Sequence, residues 1–273
     1  MKGTSLGIAA VQLSSQSDLA TNLEECHARV QEAAALGASI VVLPENFAYM
    51  GPEEGKRRIA EPLEELDGPI GRSLSDMALR SGVVVVAGGL PERSADPMRP
   101  YNTCAVFGRG GELLGRYRKM HLFDVDLADG TTLRESSSTA PGNEPSLVEI
   151  DGFGVGLSIC YDVRFPELYR ALVDRGAEIL VVPAAFTVHT GKAHWHVLLR
   201  ARAIESQCFV AAAAQWGSHP GGRTTYGHSL LIDPWGSILA ESADRSGVIV
   251  AELSREELEK VRSSLPSLRH RCL

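Results

Sequence analysis

Apolar strand patterns alternate with helical patterns along most of this chain, and the alternation limits its fold more than any other feature. The apolar run at 7–13 precedes a helical pattern at about 18–36, which leads into a second apolar run at 39–44. Three further helix-then-strand pairs follow: 70–80 before 83–89, 165–175 before 178–186, and 193–207 before 208–215. This order is typical of helices layered over a sheet, so we expect an α/β fold.

Hairpin-like pairs of strands interrupt this order and indicate a mixed sheet. One pair turns at 109–111 (RGG) and another at 233–236 (DPWG), where turn residues separate apolar runs. No linker and no shift in composition divides the chain, so a single domain over 1–273 is expected, with an extended C-terminal arm from about residue 264. Two irregular stretches, at about 48–67 and 120–145, are predicted to be long loops, which in a compact domain are usually functional or mobile.

The charge balance excludes one large class of partner. The 34 acidic residues outnumber the 27 Lys and Arg residues, for a formal net charge of -7. A chain without a basic excess lacks the electrostatic basis for binding a phosphate backbone, so we expect no nucleic-acid partner. The apolar runs are far shorter than a bilayer requires, so we expect no membrane partner.

The cysteines predict a reducing compartment. There are 5 of them, widely spaced and without a CxxC pair, which argues against a zinc ribbon and against a disulfide framework. No cleavable leader pattern follows Met1, so the expected location is cytoplasmic. The odd number leaves room for one reactive thiol.

Three predicted strands lead to a chemically reactive side chain. The run at 40–43 leads to Glu45, the run at 112–118 to Lys119, and the run at 154–159 to Cys160. Ligands of layered α/β folds gather at the carboxyl ends of strands, so these side chains are expected to converge. A thiolate can attack a carbonyl or nitrile carbon, a carboxylate can move protons, and an ammonium can stabilise the oxyanion. Lys119 is also expected to favour the thiolate of Cys160.

Each of the three also has an ordinary structural interpretation. Glu45 can be a loop acid, Lys119 a solvated charge, and Cys160 an inert buried thiol, which is the usual state of a lone cysteine. The three residues together indicate a catalytic site more specifically than any one of them does alone.

Three segments resemble the signatures of the nitrilase superfamily of carbon–nitrogen hydrolases. They are 43–46 (LPEN), 117–124 (YRKMHLFD) and 158–167 (SICYDVRFPE). Later segments at 191–215, 226–229 and 233–236 resemble the Nit branch of that superfamily. Ordered signatures over nearly the whole chain are far more specific than one short motif.

The resemblance implies a four-layer αββα sandwich, a homodimer, and a Cys-Glu-Lys centre without metal or cofactor. In that centre Cys160 is the nucleophile, Glu45 the general base, and Lys119 the oxyanion donor, assisted by the backbone N–H of Tyr161. A second family glutamate matches Glu135, whose implied role is to position the lysine and the substrate.

The implied activity is hydrolysis of a small linear amide that carries a carboxylate, through a thioester intermediate. The Nit branch points to deaminated glutathione or a related ω-amide of a 2-oxo acid as substrate. N-carbamoyl amino acid hydrolysis and nitrile hydrolysis are the rival activities within the superfamily. A catalytically silent binding or scaffold protein also stays possible, as does a Cys-His hydrolase with His228 or His194 as base.

One segment departs from the Nit pattern. Residues 191–196 read GKAHWH, where the branch usually has GPAHWE. Lys192 and His196 therefore replace the usual Pro and Glu.

Arg164 is the strongest candidate for binding a substrate carboxylate. It lies four residues after Cys160, where a guanidinium can form a bidentate pair; a structural role in the turn is the competing interpretation. Five more candidates lie near the ends of elements that should face the site, and the aromatic ones fit the core equally well. These five are Tyr49, Tyr161, Phe186, Thr187 and Trp195.

Two further patterns have structural interpretations. His194 and His196 are two positions apart on a predicted helix and do not share a face, so a metal site that includes them and His189 is not expected. The glycines of 152–156 (GFGVG) precede a strand rather than a helix, and so predict a hairpin turn rather than a dinucleotide-binding loop.

Overall fold

Two six-stranded sheets, stacked face to face, form the centre of the protein. The computed structural model describes residues 5–126, 130 and 132–272. The strands in these ranges are β1 (Ser5–Gln12), β2 (Ile40–Leu43), β3 (Val84–Glu92), β4 (Tyr101–Phe107), β5 (Leu113–Arg118), β6 (Asp124–Asp126), β7 (Thr132–Arg134), β8 (Ser146–Ile150), β9 (Phe153–Leu157), β10 (Ile179–Val181), β11 (Phe209–Ala212), β12 (Trp216–Ser218), β13 (Thr224–Tyr226), β14 (Leu230–Ile232), β15 (Ile238–Glu241) and β16 (Gly247–Ser254). The α-helices are α1 (Leu19–Ala35), α2 (Glu53–Ile59), α3 (Pro69–Ser81), α4 (Pro166–Asp174), α5 (Val188–Ser206) and α6 (Arg255–Ser264).

The two sheets share one plan. The first has the strand order β16-β1-β2-β3-β4-β5, and the second has the order β15-β14-β11-β10-β9-β8. In each, three neighbouring strands run parallel and the strands that flank them pair antiparallel. Parallel neighbours need a long crossover, which is why helical and strand patterns alternate in the sequence.

Helices cover the outer face of each sheet. Alternate residues of β1 show the layers, because Ile8 and Ala10 pack in the core between the sheets, whereas Ala9 and Val11 pack with α1 and α3. Buried side chains of α4 and α5 pack against the second sheet on its other side. The expected four-layer αββα sandwich is therefore confirmed.

The predicted helices are present, with one shifted boundary. Asp18 caps α1 by accepting a hydrogen bond from the backbone N–H of Thr21, at 2.8 Å. The last long helix, α5, begins at Val188 rather than at about residue 193, because Thr187 provides its N-cap. The glycine pattern at 152–156 gives the predicted hairpin: Asp151 and Gly152, with φ of 50° and 78°, form the two-residue turn between β8 and β9.

The two stretches predicted to be irregular contain regular structure. In the first, α2 buries only Gly55, so it has no apolar periodicity that would have indicated a helix. In the second, β6 and β7 form a two-stranded ribbon before a 3₁₀ turn at Glu135–Ser137. After α6 the chain does not continue as an extended arm, since Ser267–His270 form another 3₁₀ turn and Arg271 pairs with Asp174 at 2.6 Å.

In the ranges that the structure describes, no helix combines the length and the apolar character that a bilayer span needs.

Candidate active site

Glu45, Lys119 and Cys160 lie at one edge of the sandwich, each just beyond the carboxyl end of a strand. Glu45 follows β2 and Lys119 follows β5 in the first sheet, and Cys160 follows β9 in the second. Strand β5 runs in the direction of β2 because two antiparallel steps, through β4, separate it from β3. The predicted convergence of the three side chains is therefore a consequence of strand direction.

The Lys119 ammonium lies between two carboxylates. Its Nζ donates to Oε1 of Glu45 at 3.1 Å and to both carboxylate oxygens of Glu135, at 3.0 and 2.9 Å. Only 2% of the lysine side chain is exposed. Burial alone would lower the pKa of Lys119, but Glu135 and Glu45 hold it above the ordinary value, so the ammonium stays charged.

Glu45 is kept ionised although it is buried. Its Oε1 also accepts the side-chain N–H of Asn102 at 2.9 Å, and its Oε2 accepts the backbone N–H of Ala185 at 3.0 Å. Burial would raise the pKa of Glu45, but the Lys119 charge and a hydrogen bond from the Cys160 thiol bring it below the ordinary value. A charged carboxylate ready to accept a proton results.

Its surroundings favour the thiol form of Cys160 over the thiolate. Burial and the negative charge of Glu45 raise the pKa of Cys160 well above its ordinary value, and Lys119 offsets this only in part. Lys119 favours the thiolate as the sequence predicted, but the sequence did not reveal the opposing effects of burial and of the carboxylate beside it. Any nucleophilic step therefore needs Glu45 to take the thiol proton.

A short 3₁₀ helix, Cys160–Arg164, holds the thiol in place. Cys160 has a φ of 49°, a left-handed conformation that is unfavourable for a side chain with a Cβ, and its N–H donates to the carbonyl of Pro183 at 2.9 Å. The fully buried Asp162 fixes this turn by accepting the N–H of Ile159 at 2.8 Å and the Tyr117 hydroxyl at 2.9 Å. The strained backbone is thus tied to β5.

Asn102 is a member of the site that the sequence did not reveal. Its Nδ2 donates to Glu45 and, at 3.3 Å, to Oε1 of Glu135, so one amide holds both carboxylates. Gly89 leaves the room for this contact, since a Cβ there would lie 2.7 Å from Cγ of Glu45 and 2.9 Å from Oδ1 of Asn102. A polar residue at the start of the apolar strand β4 was the only available signal.

These side chains line a cavity of about 300 Å³, a volume suited to a small ligand. Tyr161, Arg164, Phe186 and Thr187 also line it, as the sequence analysis expected of substrate-binding residues. The Arg164 guanidinium lies 5.2 Å from the centre of the Phe186 ring and contacts Nδ1 of His194 at 3.3 Å.

Two of the sequence-based candidates do not reach the cavity. Trp195 is fully buried behind Phe186, with ring centres 4.8 Å apart, and its indole N–H donates to the carbonyl of His228. Tyr49 packs beside Gly55 with its hydroxyl on the carbonyl of Pro52. Both aromatic side chains belong to the core, which is the ordinary interpretation of such residues.

The cavity wall has further cations that the sequence analysis did not select. Lys56 and Glu53 of α2 form an ion pair at 3.1 Å, and Arg223 lies in the same wall. Nη2 of Arg223 donates to the carbonyl of Ala185 at 3.3 Å, while its buried Nε has no partner among the described residues. A guanidinium with an unused donor can bind an anionic ligand group.

No histidine lines the described part of the cavity. His194 contacts Arg164, and His228 contacts Glu241 at 2.8 Å. A Cys-His pair is therefore not formed, and the only base beside Cys160 in these residues is Glu45.

The geometry permits covalent catalysis on a carbonyl or nitrile carbon. It combines a buried thiol, an ionised carboxylate that accepts the thiol proton, and an ammonium held where negative charge would develop.

Comparison with known sequences identifies the family. A sequence model described as "Carbon-nitrogen hydrolase" matches residues 7–263. The chain belongs to the carbon–nitrogen hydrolase family. As a member of that family it is an enzyme that hydrolyses carbon–nitrogen bonds other than peptide bonds.

Individual relatives are similar over nearly the whole of this chain. The deaminated glutathione amidase of Synechocystis sp. is 46% identical over 266 residues, which cover 96% of this chain and 97% of that protein. The C. elegans NitFhit structure has a TM-score of 0.92 at 35% identity, and the match covers 100% of this chain and 66% of that one. Saccharomyces cerevisiae Nit3, a member of branch 10 of the nitrilase superfamily, has a TM-score of 0.90 at 30% identity, covering 99% of this chain and 98% of Nit3. The resemblance to the Nit branch is confirmed.

Proposed function

We propose that this carbon–nitrogen hydrolase is a cysteine-dependent amidase that acts on a small linear amide with a carboxylate, such as deaminated glutathione or a related ω-amide. The observation that carries the proposal is the buried contact of Lys119 with Glu45 and Glu135 beside the Cys160 thiol. Positioned base, nucleophile and cation are what acyl transfer from nitrogen to sulfur requires.

In the first half of the reaction, Glu45 takes the Cys160 proton as sulfur attacks the amide carbon. The developing oxyanion is stabilised by the Lys119 ammonium and the backbone N–H of Tyr161, and one such donor is worth about 3–4 kcal/mol. The C–N bond then breaks, Glu45 returns the proton to the leaving nitrogen, and ammonia or an amine departs from a thioester on Cys160.

In the second half, water replaces the amine. Glu45 takes a proton from the water as its oxygen attacks the thioester carbon, and the same cation stabilises the second oxyanion. The C–S bond breaks, the proton returns to sulfur, and the carboxylic acid leaves. Glu135 and Asn102 act as positioning residues, since they contact Lys119 and Glu45 rather than the reacting atoms.

The carboxylate preference is supported by cations in the cavity wall. Arg164, Arg223 and Lys56 line the cavity of a protein whose formal net charge is -7, so local positive charge is needed to offset the general repulsion of an anion. The name of the Synechocystis relative favours deaminated glutathione, an amide with carboxylates at its ends.

Product analysis on a panel of compounds tests the proposal. Deaminated glutathione, ω-amides of 2-oxo acids, N-carbamoyl amino acids and nitriles are each incubated with wild-type protein and with Cys160→Ala. We expect the highest kcat/KM for a carboxylate amide, and loss of turnover by several orders of magnitude in the variant. Turnover by Cys160→Ala would overturn the assignment of the nucleophile, and preference for carbamoyl compounds or nitriles would overturn the substrate class.

A matched pair of substrates tests the role of the cations. Arg164→Ala and Arg223→Ala are assayed on a carboxylate amide and on its uncharged isostere. If a guanidinium binds the carboxylate, its removal lowers kcat/KM for the acid by a factor that corresponds to about 2–4 kcal/mol of transition-state stabilisation. The kcat/KM for the isostere should change little. Equal losses on both substrates would mean that the arginine only supports the cavity wall.

We further propose that the chain acts as a single domain in the cytoplasm and pairs as a homodimer. The free cysteines support a reducing compartment. Exposed apolar side chains support pairing, because Trp235 of the β14–β15 turn is 60% exposed, and Ile204 of α5, which lies against the neighbouring Gly236, is 47% exposed.

A further inference from the structure

Two histidines and a glutamate converge on the surface beyond the active-site cavity. Nε2 of His196, on α5, lies 2.9 Å from Oε1 of Glu241, and Nδ1 of His228 lies 2.8 Å from the same oxygen. The three ligand atoms lie within 4.8 Å of one another. Three different parts of the chain supply them, and His196 is one of the two residues that depart from the usual Nit pattern.

We propose that His196, His228 and Glu241 form a binding site for a divalent transition-metal ion of the Zn²⁺ type. Two imidazoles, one carboxylate and an open position for water make a common zinc donor set. Ligands about 2.1 Å from a shared ion lie about 3.4 Å apart in tetrahedral geometry. The three atoms are therefore within small side-chain rotations of that arrangement.

The surroundings of His228 place a carboxylate at each of its ring nitrogens. Nδ1 of His228 faces Glu241, and Nε2 lies 3.4 Å from Oδ1 of Asp244. A neutral imidazole has a single N–H and can satisfy only one of these carboxylates. With a metal on Nδ1, the N–H resides on Nε2 and points to Asp244, which is the carboxylate–histidine–metal arrangement of many metal sites.

The ligands are also held in place before any ion binds. The Tyr226 ring stacks on His228 with ring centres 4.3 Å apart, and the His228 carbonyl accepts the Trp195 indole N–H at 2.8 Å.

Charge and exposure agree with this assignment. Glu241 and Asp244 supply two negative charges, and nitrogen donors favour Zn²⁺ or Co²⁺ over Mg²⁺ and Ca²⁺, which require oxygen ligands. The side chains of His196, His228 and Glu241 are 29%, 25% and 37% exposed, so an ion can enter from solvent. Bound metal would join α5 to the β14–β15 hairpin and stabilise the folded protein by mass action.

Metal titration tests the site. Reactive thiols are first blocked with iodoacetamide so that sulfur ligands do not compete, and wild type, His196→Gln, Glu241→Gln and the control His27→Gln are titrated with ZnCl₂ by calorimetry. We expect wild type and His27→Gln, which changes a histidine of α1 outside the cluster, to bind one ion per chain. Each cluster variant should lose that ion or bind it at least tenfold more weakly, and only the binding-competent proteins should gain in Tm with ZnCl₂.

Spectroscopy and a second metal complete the test. CoCl₂ should give visible absorption bands typical of nitrogen and oxygen ligands in wild type but not in His196→Gln, and MgCl₂ should give no binding heat. Equal zinc binding by all four proteins would overturn the proposal, as would a thiolate-to-cobalt band that persists in the cluster variants. Absence of zinc binding by wild type would leave the cluster as a set of hydrogen bonds and reject the metal site.

Discussion

The side chain of Asn102 shares its amide between two carboxylates that would otherwise repel each other. Its Nδ2 contacts Glu45 and Glu135, and Lys119 lies between the same two acids. The set therefore carries two negative charges and one positive charge in a buried place, where charge interactions are strong. A change of charge at position 102 should therefore shift the pKa of Glu45 more than it affects the fold.

Replacing Asn102 by Asp tests this. A third carboxylate raises the pKa of Glu45, so the acid limb of the kcat/KM profile should move toward neutral pH, and kcat/KM at pH 7 should fall by about tenfold or more. The matched control, Asn143→Asp, adds the same charge on an exposed loop and should leave the profile unchanged. A lower rate with an unshifted profile would assign Asn102 a purely structural role.

The pH dependence of the wild-type enzyme distinguishes a glutamate base from a histidine base. The pKa of Glu45 lies below its ordinary value and that of Cys160 above, so Glu45 loses its base function only well on the acid side and the thiol ionises only well on the alkaline side. We expect kcat/KM to stay level between roughly pH 5.5 and 8. A fall centred near pH 6.5 would indicate a histidine and contradict this assignment.

The sequence was informative about residues that follow a strong local pattern. Glu45, Lys119 and Cys160 were found because each follows a predicted strand. The contact of Asn102 depends on the register of β3 and β4, where it opposes Pro91, and the position of Arg223 depends on contacts with the distant Ala185. Neither contact can be predicted from residues that are adjacent in the sequence, and so both residues were missed.

At the level of elements, the start of α5 serves both the fold and the cavity. Thr187 caps the helix by accepting the Thr190 N–H at 3.4 Å, and the same residue lines the cavity. The sequence predicted a start at about residue 193, but the chain begins the helix at Val188 with a threonine cap. A threonine followed by a polar stretch is a weak signal, and so the boundary was predicted about five residues late.

Substitution of the two helix caps separates stability from binding. Thr187→Ala and Ser254→Ala, the latter at the cap of α6, should each lower the free energy of unfolding by about 1 kcal/mol. Only Thr187→Ala should also raise KM, because Ser254 is not among the described cavity residues. Urea unfolding and steady-state kinetics on both variants, with Thr187→Ser as the conservative control, make the comparison. A raised KM in Ser254→Ala would show that a loss of stability alone is enough to raise KM.

At the level of the whole molecule, the layers of helix and sheet were predictable from the sequence, but the last strand and the last helix were not. The alternation of strands and helices indicated an α/β fold, and the family resemblance supplied the second pair of layers. Neither α6 nor β16 was recognised, although β16 pairs with β1 along its full length. Its residues are mostly half-buried, so the strict alternation that marks a strand with one solvent face is blurred.

The proposed homodimer is tested by sedimentation equilibrium. At micromolar concentration the wild type should sediment at twice the 29.3 kDa of the chain. Trp235→Ser should weaken pairing, whereas Leu79→Ser, which removes an equally exposed apolar side chain from α3, should not. A 29 kDa species alone in the wild type would reject pairing.

The pairing of β1 with β16 also dictates when the first sheet can be completed during synthesis. All eight residues of β1 pair with residues 247–254, near the far end of the chain. At roughly 5–20 residues per second, a ribosome needs on the order of 10 to 50 seconds to add the roughly 235 residues that separate the two strands. Until then β1 has an unpaired outer edge, the kind of edge that joins other chains. Nascent chains that stop before residue 247 are therefore expected to need a chaperone.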